Sequence, residues 1–315
     1  MRKIKAAIIL ILLAFVIFAL VMAFNQWSFK SMFEKDYITN THEITENFSN
    51  IKIMVEITDV EILPSQNNKC KIDIYENAKY PHKADVIGEG LTITQPNKKI
   101  TNSFFNFGNP KITIYLPNSE YQAFLAVVST GDIFIDSSLK FDIIDIDVTT
   151  GDVKNNASVN QSLKIESTTG DIILEDLSAK NINLSVSTGD IILKNVSALD
   201  NVTLDVSTGK SYLTNVNCKH LSSKGTTGDI ELNNVIATES FNIKRTTGDV
   251  IFDSSDAAEI VVDVTTGDVL GTLLTGKSFN VETTTGKKKV PGTTGGLCKI
   301  HTTTGDIDIT VLQSE

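Results

Sequence analysis

The sequence predicts an all-β fold, a single-stranded β-solenoid (β-helix) of about ten 19–20-residue coils preceded by an N-terminal transmembrane helix. Three observations carry that prediction. A Thr-Gly pair recurs ten times at one short period, apolar residues alternate on both sides of it, and residues 6–24 form a single uncharged apolar run.

Fixed-period self-similarity is the mark of stacked architectures. The repeated glycines are Gly131, Gly151, Gly170, Gly189, Gly209, Gly228, Gly248, Gly267, Gly286 and Gly305, separated by 20, 19, 19, 20, 19, 20, 19, 19 and 19 residues. Threonine precedes each, beginning with Thr130. Aspartate follows eight of them: Asp132, Asp152, Asp171, Asp190, Asp229, Asp249, Asp268 and Asp306. Lys210 and Lys287 replace the acid in the other two.

Counting from the glycine exposes the core. Apolar residues lie seven and five before it, as in Ile182 and Leu184, and two and four after it, as in Ile191 and Leu193. A period of two means a strand with one buried face. The inward phase slips at the glycine, as it must where a strand turns a corner. A coil with one apolar face cannot fold alone, so stacking must join the faces into a common core. At strand spacing the stack would be a rod of ~45–50 Å.

Residues 1–24 read as a cytoplasmic tip and transmembrane anchor. About 20 apolar residues span a bilayer, and Arg2, Lys3 and Lys5 should stay cytoplasmic. A cleaved signal peptide is the rival reading, with Val21-Met22-Ala23 as its cleavage site, although such apolar regions are usually shorter. Either way the rest of the chain lies outside the cytoplasm. The expected location is the cell membrane, single-pass, with the β domain extracellular. Residues 25–50 read as a stalk, 51–120 as an N-terminal β region capping the solenoid, and 121–315 as the repeats.

Composition excludes several classes. The net charge of −10 opposes nucleic acid. Only Arg2 and Arg245 could read phosphate bidentately. The three cysteines are odd in number and far apart, so they imply no disulfide framework. No nucleophile elbow, phosphate-binding loop or Cys-x-x-Cys pair occurs, and four histidines leave few general bases. The sequence therefore predicts no enzyme, no catalytic residue, no cofactor and no metal.

Several residues still merit a comparison of readings. The Asp row could hold calcium, which takes oxygen ligands. Against that, the glycine supplies a special backbone angle and the aspartate accepts turn amides. Cys218 with His220, and Cys298 with His301, read as inward thiols and outward histidines. Arg245 falls in a column of valines beside Gly225 of the preceding coil, so its stem is expected to pack over that glycine with the head in solvent. Catalysis by Arg245, as in some β-helix polysaccharide lyases, is the lesser reading. Lys287-Lys288-Lys289 reads as a solvated loop, with contact to an anionic wall polymer as its alternative.

The Ser/Thr-Thr-Gly-Asp-Ile/Val unit resembles a bacterial family of "putative adhesins", a domain of unknown function. So does the stretch Ile112-Thr113-Ile114-Tyr115-Leu116-Pro117 leading into Val128-Ser129-Thr130-Gly131-Asp132. The likeness covers about residues 50–312. It implies a β-solenoid behind a membrane segment and supplies no catalytic residue. The expected function is an adhesin-like binding or scaffolding module of the cell envelope, linked to envelope-stress signalling. Its expected partners are the membrane, through the N-terminal helix, and a cell-wall polymer, a host surface or a membrane protein. A structural spacer is the second reading and a carbohydrate-active enzyme the third.

Overall fold

The computed structural model describes residues 37–95 and 109–312. The anchor expected over residues 1–24 lies outside them. Every regular element among the described residues is a strand, and all twenty-two join one sheet.

The stretch read as a stalk is partly folded. Strand β1 (Tyr37–Ile44) runs antiparallel to β4 (Cys70–Asn77), and β2 (Asn50–Ile57) is followed by β3 (Asp59–Pro64). The side chains of Asn40 and Thr41 in β1 donate to Glu76 and Asp73 in β4, which ties it to the domain. The hairpin β5 (Lys83–Ile87) and β6 (Gly90–Thr94) follows, then β7 (Lys111–Leu116).

From β8 (Glu120–Thr130) and β9 (Ile133–Ile135) onward the ladder is parallel. It continues through β10 (Lys140–Thr150), β11 (Val153–Asn155), β12 (Ser158–Thr169), β13 (Ile172–Thr188) and β14 (Ile191–Thr208). Next come β15 (Ser211–Thr227), β16 (Ile230–Thr247), β17 (Val250–Thr266) and β18 (Val269–Leu273). The chain ends through β19 (Lys277–Thr285), β20 (Lys288–Lys289), β21 (Gly296–Thr304) and β22 (Ile307–Val311). The ten Thr-Gly steps bound nine complete coils.

The stack starts earlier than residue 121. β2 pairs in parallel with β8, and β3 with β9, so residues 50–64 are themselves a solenoid coil. Thr58 stands where later coils carry glycine, its N–H bonding Thr130 as that of Gly131 bonds Thr150, both at 2.9 Å.

Each repeated coil turns at three places. At the first, the glycines adopt φ of 123–155°. A Cβ on Gly189 would fall 2.1 Å from the carbonyl oxygen of Gly170 below it, so no other residue fits. The second corner is six residues on, where Asp176, Asn195, Asn215, Asn234 and Ser254 take φ of 50–55°. Asn and Asp tolerate that left-handed region better than other side chains. Their amides also ladder: Asn215 donates to Asn195 and Asn234 to Asn215, both at 2.8 Å. At the third corner the register shifts, as between Ala179 and Asn181 against Ala198 and Asn201. The twenty-residue coil that begins at Gly189 accommodates its extra residue there.

The inward columns merge into one core running from Ile51 to Ile309. Ile182, Leu184, Ile191 and Leu193 are each 1% exposed or less. Phe279 and Val281, expected in the core by the same count, are only partly buried, because their coil is the outermost.

Stacking does not follow chain order at the C-terminal end. β21 pairs with β17 on one side and β19 on the other, and β22 pairs with β18 and β20. The coil that comes last in sequence is therefore inserted between the two that precede it. β20 also corrects the loop expected at Lys287–Lys289: Lys288 and Lys289 pair with Ile307 and Asp308 while their side chains stay exposed.

Candidate interaction face

The Asp row is built by backbone geometry. Oδ1 of Asp132 accepts the N–H of Asp152 at 2.8 Å, Asp152 that of Asp171 at 2.8 Å, and Asp171 that of Asp190 at 2.7 Å. Asp190 accepts the N–H of Lys210 at 2.7 Å, where the carboxylate is missing, and the relay resumes from Asp229 through Asp249 and Asp268 to Asp306, whose carboxylate receives Lys287 N–H at 2.7 Å. Asp59 begins it, one coil before the first Thr-Gly step. Each carboxylate thus satisfies an amide at the next corner, a charge-assisted bond. The Asp249 amide holds the Asp229 carboxyl below the usual carboxylate range, and Lys210 at 2.9 Å adds to the effect. Among the described residues no group of three or more His, Cys, Asp or Glu could hold a metal ion.

Beside this row runs a feature that the inward count overlooked. The outward residue three after the glycine is half-buried and mostly apolar: Phe134, Ile173, Ile192, Tyr212, Ile251 and Leu270. Register places Ile173 beside Ile192, Ile192 beside Tyr212, and Ile251 beside Leu270. Lys154 and Glu231 interrupt the column. The stripe lies between the acidic corner row and the left-handed corner. The signal was present in the sequence, since Ile-Ile and Val-Ile pairs after the glycine break strict alternation. The residues two before each glycine, by contrast, are all Ser or Thr, while Met54, Leu125, Val127, Ile143 and Leu199 are exposed apolar side chains on other outward positions.

Arg245 departs from expectation. It is 4% exposed, and its head is turned inward, donating to Ser223 at 2.9 Å, Ser211 at 3.4 Å and the Lys244 carbonyl at 3.0 Å. A Cβ on Gly225 would meet its Nη1 at 2.7 Å, so the missing side chain admits the guanidinium. Burial pulls its pKa down to about 10. Its hydrogen bonds go to two serine hydroxyls and a backbone carbonyl.

The thiols are inward. Cys218 and Cys298 are 5% and 0% exposed, and burial pushes both up to about 12, away from reactivity. His220 and His301 point outward, bonding Ser240 and Asp263 at 3.0 Å each. Among the described residues, a recess of about 370 Å³ lies between Glu43–Phe48, Asn68–Cys70 and Tyr121.

A comparison with curated proteins finds no match. Among solved structures, the "putative adhesin" from Parabacteroides distasonis is similar with a TM-score of 0.51 at 15% identity, over 88% of this chain and 98% of that one. The "putative adhesin" from Bacteroides fragilis gives 0.46 at 16% identity, again over 88% and 98%. The "putative lipid binding protein" from Parabacteroides distasonis gives 0.48 at 21% identity, over 76% and 98%. The family model described as Toastrack DUF4097 matches residues 48–209 and 197–315, nearly all that follows the apolar run. The chain belongs to the Toastrack DUF4097 family.

Proposed function

We propose that the solenoid is an adhesin-like binding or scaffolding module held outside the cytoplasm by residues 6–24, serving the cell envelope and its stress signalling. The half-buried stripe from Phe134 to Leu270 carries this reading. Its longest run is Ile173–Ile192–Tyr212, it is broken at Lys154 and Glu231 and ends at Asp308, and it has a carboxylate row along one flank. A surface that is apolar at its centre and basic at one side would complement it. Burying such a stripe follows the usual anatomy of an interface, an apolar centre with a polar rim. The acidic flank disfavours an anionic wall polymer on this side and favours a protein surface.

The test is cross-linking and pull-down from intact cells, comparing the natural chain with Ile192→Asp/Tyr212→Asp. Both positions face outward, so the fold should persist. Loss of the captured partner supports the reading, and unchanged capture removes it. The spacer reading draws on the Ser and Thr row two before each glycine. It predicts no partner in either sample.

A further inference from the structure

Where the chain skips a layer, a lysine and an aspartate meet inside the fold. Lys277 opens β19, and its Nζ lies 2.5 Å from Oδ1 of Asp256 in β17, with the side chains 4% and 9% exposed. Gly296, the register partner of Lys277, packs on the Ala258 carbonyl, so the ammonium reaches across that layer to find Asp256. Thr275 completes the group. Its N–H and its hydroxyl each donate to Oδ2 at 2.7 Å, and Lys277 Nζ donates to its Oγ at 2.8 Å. The Ala257 N–H donates to Oδ1 at 2.7 Å.

We infer that Lys277 and Asp256 condense into an intramolecular amide. The Thr275 hydroxyl accepts from Nζ and donates to Oδ2, so it can pass protons from the ammonium to that oxygen. One transfer leaves a free amine beside Cγ and a protonated Oδ2. Nζ attacks Cγ and the Cγ–Nζ bond forms, while negative charge gathers on Oδ1, where the Ala257 amide stabilises it. A second proton follows the same relay, the Cγ–Oδ2 bond breaks, and Oδ2 leaves as water. Ammonium and carboxylate have become amide and water, with no oxidant, reductant or co-reactant. The close contact holds the reactants together before reaction. The product replaces two buried charges by a neutral group, which removes the desolvation cost of burying ions. A shallow recess bounded by Ile236, Ala237 and Leu274 gives the water an exit.

The bond would staple the chain where it leaves sequential stacking, and so fasten the inserted coil. Intact-mass measurement of the purified full-length chain tests it. The expected mass is one water, about 18 Da, below that of the sequence, and proteolysis should yield a branched peptide joining Asp256 to Lys277. Lys277→Arg should restore the full mass. Thr275→Val keeps both reacting groups but removes the relay, and should also give full mass with hydrogen-exchange protection of β21 retained. Full mass in the natural chain, freshly purified and after prolonged incubation, overturns the proposal. So does a mass deficit that persists in Lys277→Arg, while one persisting in Thr275→Val overturns the relay.

Discussion

The two ends of the stack solve one problem differently. A parallel ladder of equivalent coils has no natural terminus, because each coil offers the next the same register. At the N-terminal end antiparallel strands close the edges: β5 covers β6, while β4 and then β1 cover β7. At the C-terminal end a coil is inserted out of order, and among the described residues none pairs with the outer edge of β19 or β20. The exposed side chains of Lys287, Lys288 and Lys289 stand there instead, and charge on an open edge discourages further strand addition. Both ends add a buried polar contact, His82 Nδ1 to Glu76 at 2.7 Å and Lys277 Nζ to Asp256 at 2.5 Å. Repetition alone builds the middle, and each end is specified by departing from repetition.

The largest effect should come from breaking the middle. Gly189→Val drives a side chain into the Gly170 carbonyl and should cost more than about 4 kcal/mol by denaturant unfolding. Gly88→Ala, in the N-terminal hairpin with φ of 63° and open space around it, should cost only about 1 kcal/mol. Similar costs for the two would mean that close approach does not select the repeated glycine.

Removing one partner of either terminal contact leaves its buried neighbour unsatisfied and should cost at least ~1–3 kcal/mol. Glu76→Gln should expose β1 and β4 to hydrogen exchange, and Lys277→Met should expose β19 to β22. Protection in β13 to β16 should hold in both. Uniform loss along the stack would show that the ends are not independent of the middle.

A double-mutant cycle addresses the one polar intruder in the middle. Gly225→Val alone collides with Arg245 and should cost ~1–3 kcal/mol as an overpacked site. Joined with Arg245→Val it restores a valine column, and the coupling should reach ~1–3 kcal/mol in the stabilising direction. Additive costs would detach Gly225 from Arg245.

The smallest effect is acid sensitivity of the carboxylate row. The Asp229 carboxyl is held low in the folded state, so its contribution is present above the unfolded value of about 3.9 and is lost as pH falls through the lower folded value. Asp229→Asn should flatten the fall in unfolding free energy between neutral and strongly acid pH by under about 1 kcal/mol, solvent screening included. An unchanged pH profile would remove Asp229 from the account.

The first corner and the inward columns were legible because glycine spacing and alternation are local signals. The second corner was written in Asp176, Asn195, Asn215 and Asn234 at a constant offset, though without the first it would pass for ordinary polar surface. Coil order was not legible. Cys298 fits beside Phe279 or Ile260 equally well by pattern, and it pairs with both. The fold of residues 37–44 depends on partners 26 to 40 residues away, and the inward turn of Arg245 depends on Ser211 and Ser223 in the preceding coil.

The inserted coil also bears on how the molecule is made. A chain that emerges from its N-terminus can lay down each coil on the one before it as far as β18. β19 and β20 then have nowhere to settle, since their seat is formed by β21 and β22. Until residues 296–311 arrive, the growing rod carries an unfinished face, and a prematurely terminated chain keeps it. The fold thereby distinguishes a finished product from a truncated one, and offers quality control an exposed surface on every incomplete copy.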